Sequence, residues 1–277
     1  MPRVAVIIPT FNRARQVVEA VESVLRQTYT DFEFLVVDDG STDDTAERLA
    51  PYASRLRLVR QENRGPSAAR NLGIAETDSE FVAFLDSDDL WLPRKLERQL
   101  AWMRAHPGRL VCYTDEIWIR RGVRVNQRKV HHKHGGMIFA HSLPRCIVSP
   151  SSVLMRRQFF EEVGFFDEDL PVAEDYDLWL RAALRTRFGF LPEKLIVKRG
   201  GHEDQLSRRW GIDRYRVQSL LKLLRSGELS PRQDRLVRCE LERKCRILEQ
   251  GFTKRGEAAE AALYRQIRLE WAGESRR

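Results

Sequence analysis

No apolar run in this 277-residue chain approaches the roughly 18 to 20 residues a membrane-spanning helix needs, which excludes a helical span. Cysteine is scarce too. Cys112, Cys146, Cys239 and Cys245 are widely spaced, form no C-x-x-C pair and sit mostly among apolar neighbours, which argues for reduced core thiols over disulfides or structural zinc. Met1-Pro2-Arg3 leads straight into a strand-like run with no signal-peptide h-region, so the expected compartment is cytoplasmic. An excess of charge of either sign is missing from most of the chain. Residues 1–197 hold 28 Lys+Arg against 28 Asp+Glu, and the whole net +8 belongs to residues 198–277, with 20 against 12. The neutral part carries no nucleic-acid-binding signature, so nucleic acid is not expected as a partner. The basic tail suits a phosphate-bearing acceptor, peripheral contact with an anionic membrane at its inner face, or a plain solvated helical surface.

What is present is a core-forming chain, 42% hydrophobic, with a repeating pattern. Val4 to Ile8 is continuously apolar and β-branched, as in a strand buried on both faces of a parallel sheet, and Pro9-Thr10-Phe11-Asn12 ends it. Between Arg15 and Gln27, Val17, Val18, Val21, Val24 and Leu25 recur at helical spacing. Strands are expected at Phe32 to Val37, Leu56 to Val59 and Phe81 to Leu85, with helices opening near Asp43-Asp44 and Pro66. Four strand–helix alternations in about 90 residues predict a parallel, Rossmann-like α/β layer that binds ligands beyond the carboxyl ends of its strands. After a helix from Pro93 to about Ala105, strand candidates are Arg109 to Thr114, Glu116 to Ile119 and Ile147 to Met155. His131, His132 and His134 fall in a basic, Gly-flanked segment that reads as a mobile surface loop near an acceptor, not as a metal site. From about Ile212 the pattern is helical, with a stripe of Val237, Leu241, Cys245, Leu248 and Phe252 that can pack on the preceding domain or on a second copy in a homodimer.

Four polar motifs carry chemistry. Phe84-Leu85-Asp86-Ser87-Asp88-Asp89 ends a buried strand, and carboxylates one residue apart in a loop can approach one hard cation, Mg or Mn, that also bridges diphosphate oxygens. Asp88 or Asp89 could equally cap the helix entered near Pro93. Val37-Asp38-Asp39-Gly40-Ser41 ends a second strand, where a carboxylate can accept the imide N–H of a uracil. Asn63-Arg64-Gly65-Pro66-Ser67-Ala68-Ala69-Arg70 places Arg70 where it can face base or phosphates. Ala173-Glu174-Asp175-Tyr176-Asp177 sets carboxylates at a helix start, where they either serve as a base or simply favour the helix dipole.

Together, in order and with compatible spacing from about Val4 to Ser207, these motifs resemble the family 2 glycosyltransferases, inverting enzymes of the GT-A fold. The resemblance implies a catalytic domain at 1–205 with a basic helical region at 206–277. It implies that Pro9, Thr10, Asn12 and Asp39 hold the nucleoside with support from Arg70, and that Asp86 faces ribose and metal. By the same resemblance Asp88 binds the metal directly, Asp175 is the general base, and His202 in Gly201-His202-Glu203-Asp204 completes the metal or diphosphate site. The implied reaction moves one sugar from a nucleotide-diphosphate donor, a UDP-sugar first, to a saccharide or lipid-linked saccharide, with a divalent metal (Mn or Mg) as cofactor. Processive members carry Q-x-x-R-W, but here three residues separate Gln205 from Arg209-Trp210, one too many, which points to non-processive transfer. Two rivals remain: a sugar nucleotidyltransferase, against which the P-T-F-N turn counts because a glycine-rich basic loop is expected there, and a catalytically degenerate sugar-nucleotide-binding protein.

Overall fold

The computed structural model describes residues 3–201 and 210–272. The first half follows the expected alternation: β1 (Val4–Thr10), α1 (Ala14–Leu25), β2 (Phe32–Asp38), α2 (Thr45–Leu49), β3 (Arg57–Arg60), α3 (Gly65–Ala75) and β4 (Phe81–Phe84). Val4 to Ile8 are wholly buried because β1 is central, flanked in parallel by β2 and β4, while β3 pairs in parallel with β2. The helix α3 lies so close to β1 that a Cβ on Gly73 would come within 2.4 Å of Ile7 Cγ2, so glycine is required there.

The second half extends the same sheet with mixed polarity: β5 (Leu90–Trp91), α4 (Lys95–Ala105), β6 (Val111–Arg120), β7 (Val123–Val125), α5 (Phe139–Ser142), β8 (Val153–Arg156), α6 (Gln158–Val163), α7 (Glu174–Arg185) and β9 (Gly189–Gly200). The strand order is β3-β2-β1-β4-β8-β6-β9-β5, with β7 paired to β6. The two strands expected at 109–119 are one, β6, whose pairing with β9 shifts register around Asp115. The irregularity breaks the apolar alternation that a sequence pattern would follow. Of the strand expected from Ile147, only Val153 onward is sheet, and a 3-10 turn occupies Pro150–Ser152.

Three helices close the described chain: α8 (Ile212–Arg225), α9 (Pro231–Lys254) and α10 (Ala258–Ala272). Val237, Leu241, Cys245, Leu248 and Phe252 are all buried, and they belong to one apolar cluster with Tyr176, Leu180 and the strands beneath. Each such side chain stabilises by up to about 1.5–3 kcal/mol, so these helices are held on the sheet domain by packing. Asp177 adds a polar tie, accepting from Lys222 Nζ of α8 at 2.8 Å. Among the described residues, no helix is long and apolar enough to cross a membrane.

Candidate functional site

Burial alternates along the loop after β4: Ser87 and Asp89 are buried, while Asp86 and Asp88 stay partly open. A turn closed by Asp89 N–H donating to the Asp86 carbonyl at 2.9 Å holds this arrangement, so the two carboxylates spaced by one residue reach the open side. Asp89 is not a helix cap. Its Oδ2 accepts from Ser151 Oγ at 2.7 Å and its Oδ1 from the Arg199 amide at 2.9 Å, while α4 starts only at Lys95 and lacks a side-chain cap. Burial first, then the neighbouring Asp88 and Asp86 charges, pushes the Asp89 carboxyl well above its ordinary range. Asp89 therefore fixes the loop to the far half of the sheet.

Arg70, on α3, reaches two of the motifs at once. Its Nη2 donates to Asp86 Oδ1 and its Nη1 to Glu174 Oε1, both at 2.7 Å, and its guanidinium stacks over Phe166 at 5.2 Å. Burial disfavours the charge, but Asp86 and Glu174 outweigh it and hold Arg70 firmly protonated. Its two charge-assisted hydrogen bonds brace Asp86 against Glu174 of α7. Asp88 Oδ2 accepts from Arg13 Nη1 at 2.9 Å, and its backbone carbonyl accepts from Arg199 Nε.

The P-T-F-N turn and the Asp38-Asp39 turn form one wall. Asn12 adopts a left-handed backbone (φ 49°), and its Oδ1 accepts from the Thr42 amide at 2.7 Å while its own amide donates to Ser41 Oγ at 2.9 Å. Asn12 thus stitches the two turns together. Asp39 accepts from Gln61 Nε2 and from the Arg64 and Gly65 amides at 2.6, 2.9 and 2.8 Å, which fixes the carboxylate against the start of α3. Pro9 and Thr10 end β1 beside it, and the buried Thr10 Oγ1 has no hydrogen-bond partner among the described residues.

Asp175 is the second residue of α7, two after the N-cap Ala173, a non-glycine residue in the left-handed region (φ 63°). Its Oδ2 accepts from Cys146 Sγ at 3.3 Å. Burial, then the charge of Asp175, drives the Cys146 thiol up, so it stays a proton donor to the carboxylate. Glu174 is not merely a dipole partner, since its carboxylate is spent on Arg70. Asp175 lines a cavity of about 380 Å³ bounded also by β6, β9, α8 and α9.

Several residues of that cavity escaped the sequence reading. Lys133 is buried against Glu116 in an ion pair, and the Tyr113 hydroxyl donates to the His134 carbonyl at 2.8 Å. The histidine segment is accordingly tied to the sheet by these contacts, and His131 lines the cavity. Burial opposes the charge of Lys198, but Glu116, Asp89 and Asp175 keep it protonated between the two carboxylate motifs. Lys133 and Lys198 lie in stretches of mixed polarity without a motif, and only the topology brings them in. His202 and Gln205 lie outside the described residues. Cys239 is exposed, unlike the core thiols expected.

A mixed, mostly buried sheet with acidic turns at the carboxyl ends of its parallel strands has the GT-A fold, and solved structures of that fold superpose on it. The chain aligns with Staphylococcus aureus TarS 1-349 in complex with UDP-GlcNAc at TM-score 0.76 and 22% identity, over 95% of this chain and 79% of that one. It aligns with the mannosyltransferase PcManGT from Pyrobaculum calidifontis, in complex with GDP-Man and Mn2+, at TM-score 0.62 and 22% identity, over 98% and 84%. Residues 5–164 match glycosyl transferase family 2, and the chain belongs to that family. An Escherichia coli relative, the UDP-Glc:alpha-D-GlcNAc-diphosphoundecaprenol beta-1,3-glucosyltransferase WfgD, is 39% identical over 179 residues, 64% of this chain and 68% of that protein. An uncharacterized glycosyltransferase of Rickettsia felis is 35% identical over 195 residues, covering 70% of this chain, and the chain spans about a third (32%) of that relative's length.

Proposed function

We propose that the chain transfers a single sugar from a UDP-sugar to a hydroxyl of a saccharide or lipid-linked saccharide acceptor, with inversion at the anomeric carbon and without processivity. The observation that carries the proposal is the opposition of two acidic groups across one buried arginine: Asp86 and Asp88 on the strand side, and Asp175 beside Glu174 on α7. The nucleoside would lie against Thr10 and Asp39, with Asp86 toward the ribose. An acceptor hydroxyl entering from the cavity would meet Asp175, which takes its proton as the oxygen attacks the anomeric carbon, and the nucleoside diphosphate leaves with the bonding electron pair. The single S–H of Cys146 has two acceptors in reach, the Val148 carbonyl at 3.0 Å and Asp175 Oδ2 at 3.3 Å.

The donor set suits a divalent ion. Among the described residues no group of three or more His, Cys, Asp or Glu converges, and Mg or Mn in such sites uses one or two carboxylates and completes its shell with diphosphate oxygens and water. Asp86 and Asp88 are hard oxygen donors, both partly open at the end of β4. When bound, the ion would neutralise charge on the departing diphosphate. His202 is a further candidate ligand in the same proposal. The basic helical region 206–277 and its fit to an anionic membrane belong to this proposal too.

The test is UDP release from a panel of UDP-sugars with a saccharide acceptor. Asp175→Asn is expected to lower kcat by about 10²- to 10⁴-fold while leaving UDP affinity unchanged. Full transfer by that variant would assign the base elsewhere.

A further inference from the structure

The cavity beside Asp175 is more basic than the removal of one proton requires. Eight lysine and arginine side chains line it against three carboxylates, Glu116, Asp175 and Asp213. Two of those carboxylates are already matched: Glu116 by Lys133, and Asp213 by Arg216 at 3.0 Å and Lys244 at 2.9 Å. On the wall away from the acidic loop, Arg145 from the segment before β8 approaches His131 Nε2 at 3.5 Å, and Arg216 of α8 lies over the Tyr176 ring at 5.7 Å. Burial, then the charge of Arg145 with a smaller share from Arg120, lowers the His131 pKa. Buried donor atoms in this lining also lack partners among the described residues: Arg216 Nε and Arg199 Nη2. Buried unsatisfied donors of charged groups are costly, and their clustering in one cavity marks a place where a ligand supplies the acceptor oxygens.

We infer that this cavity is a diphosphate subsite for the acceptor, in which Arg145 and Arg216 grip the diphosphate through which the accepting sugar is joined to its carrier. Guanidinium groups suit this task because their fork matches phosphate oxygens bidentately. A volume of about 380 Å³ has room for a sugar and its diphosphate. The basic helices then have a function beyond packing: α8 and α9 contribute Arg216, Arg243 and Lys244, so the acceptor site is completed by the helical region. The assignment rests on the proposed entry of the acceptor beside Asp175, and the experiment separates the two.

The test is calorimetric titration of the full chain, first with UDP alone and then, at saturating UDP, with decyl diphosphate, inorganic pyrophosphate and uncharged decyl maltoside. UDP occupies the donor site, so a second diphosphate must bind elsewhere. The wild type is expected to bind decyl diphosphate at one further site and to ignore decyl maltoside. Arg145→Gln and Arg216→Gln each should weaken that binding at least tenfold, Arg216→Lys should restore part of it, and the remote Arg265→Gln on α10 should change nothing. Circular dichroism melts confirm that the variants fold, and Arg145→Gln, on a loop, serves if Arg216→Gln does not. Tighter binding of decyl diphosphate than of pyrophosphate identifies a lipid carrier, and equal binding identifies a soluble phosphate, each supporting the subsite. No diphosphate binding at saturating UDP, or binding indifferent to both arginines, overturns it. Failure of UDP itself to bind would instead overturn the transferase proposal.

Discussion

Replacing Arg70 by methionine should destabilise the protein by about 3–5 kcal/mol at neutral pH, because it leaves two carboxylates without the cation both depend on. The guanidinium is buried and donates to Asp86 and Glu174 at 2.7 Å each, and Glu174 is itself buried. For a domain of this size such a loss lowers Tm by roughly 6–20 °C. The pH dependence carries the sharper information. Burial raises the folded Glu174 carboxyl above its ordinary value of 4.5, Arg70 pulls it back down, and Asp175 pushes it up again. Without Arg70 the folded value rises further. Between 4.5 and that raised value the folded state binds more protons than the unfolded state, so stability falls as pH rises through the window. Denaturant unfolding at pH 5 and pH 7.5 should therefore give a smaller Arg70→Met penalty at the lower pH. Adding Glu174→Gln should recover part of the neutral-pH loss. A penalty under about 1 kcal/mol, or one equal at both pH values, would refute the idea that Arg70 neutralises the buried Glu174 carboxylate together with the partly open Asp86.

Three other outcomes follow from single contacts. Asp88→Asn should abolish the Mn2+ dependence of UDP binding and lower transfer at least a hundredfold, and retention of wild-type transfer in EDTA would remove the metal from the site. Exposed Cys239 should react with maleimide at pH 7.5 well before Cys146, whose thiol is held protonated by burial and by Asp175, with mass spectrometry of digests as the readout. Lys95, with Nζ 3.9 Å above the Trp91 ring and 3.1 Å from the Val153 carbonyl, is brought down by burial to about 7. Between that value and the ordinary 10.5 the unfolded state binds the extra proton, so stability should climb with pH at up to about 1.4 kcal/mol per unit. Lys95→Met should flatten that climb in pH-dependent denaturation.

The parallel half of the sheet was legible because its strands are buried on both faces, so Val4 to Ile8 and Phe81 to Phe84 read as apolar runs with turn residues behind them. The mixed half was not. β9 carries Lys194, Lys198 and Arg199 within one strand, and no single-period pattern predicts a strand whose charged side chains are matched by partners from distant segments. β5 has two residues and exists only because it pairs with β9. The histidine segment looked mobile for the same reason: what pins it, a lysine inserted against Glu116 and a hydroxyl 21 residues away, is long-range.

The acidic run shows where motif reading reaches its limit. Spacing by one residue implies that Asp86 and Asp88 share a side, and the alternating burial of Ser87 and Asp89 agrees. Spacing says nothing about what holds that side open. Asp89 does so by accepting from Ser151 and from the Arg199 amide, and Arg70 does so by bracing Asp86 against α7. A cap at Asp89 would have left the loop free to turn with its helix. Bound instead to the antiparallel half of the sheet, the loop is fixed relative to Asp175. Under the proposed displacement reaction that fixed spacing matters, because groups proposed to face the leaving diphosphate and the group proposed to face the incoming hydroxyl must be set on opposite sides of one carbon before either substrate arrives.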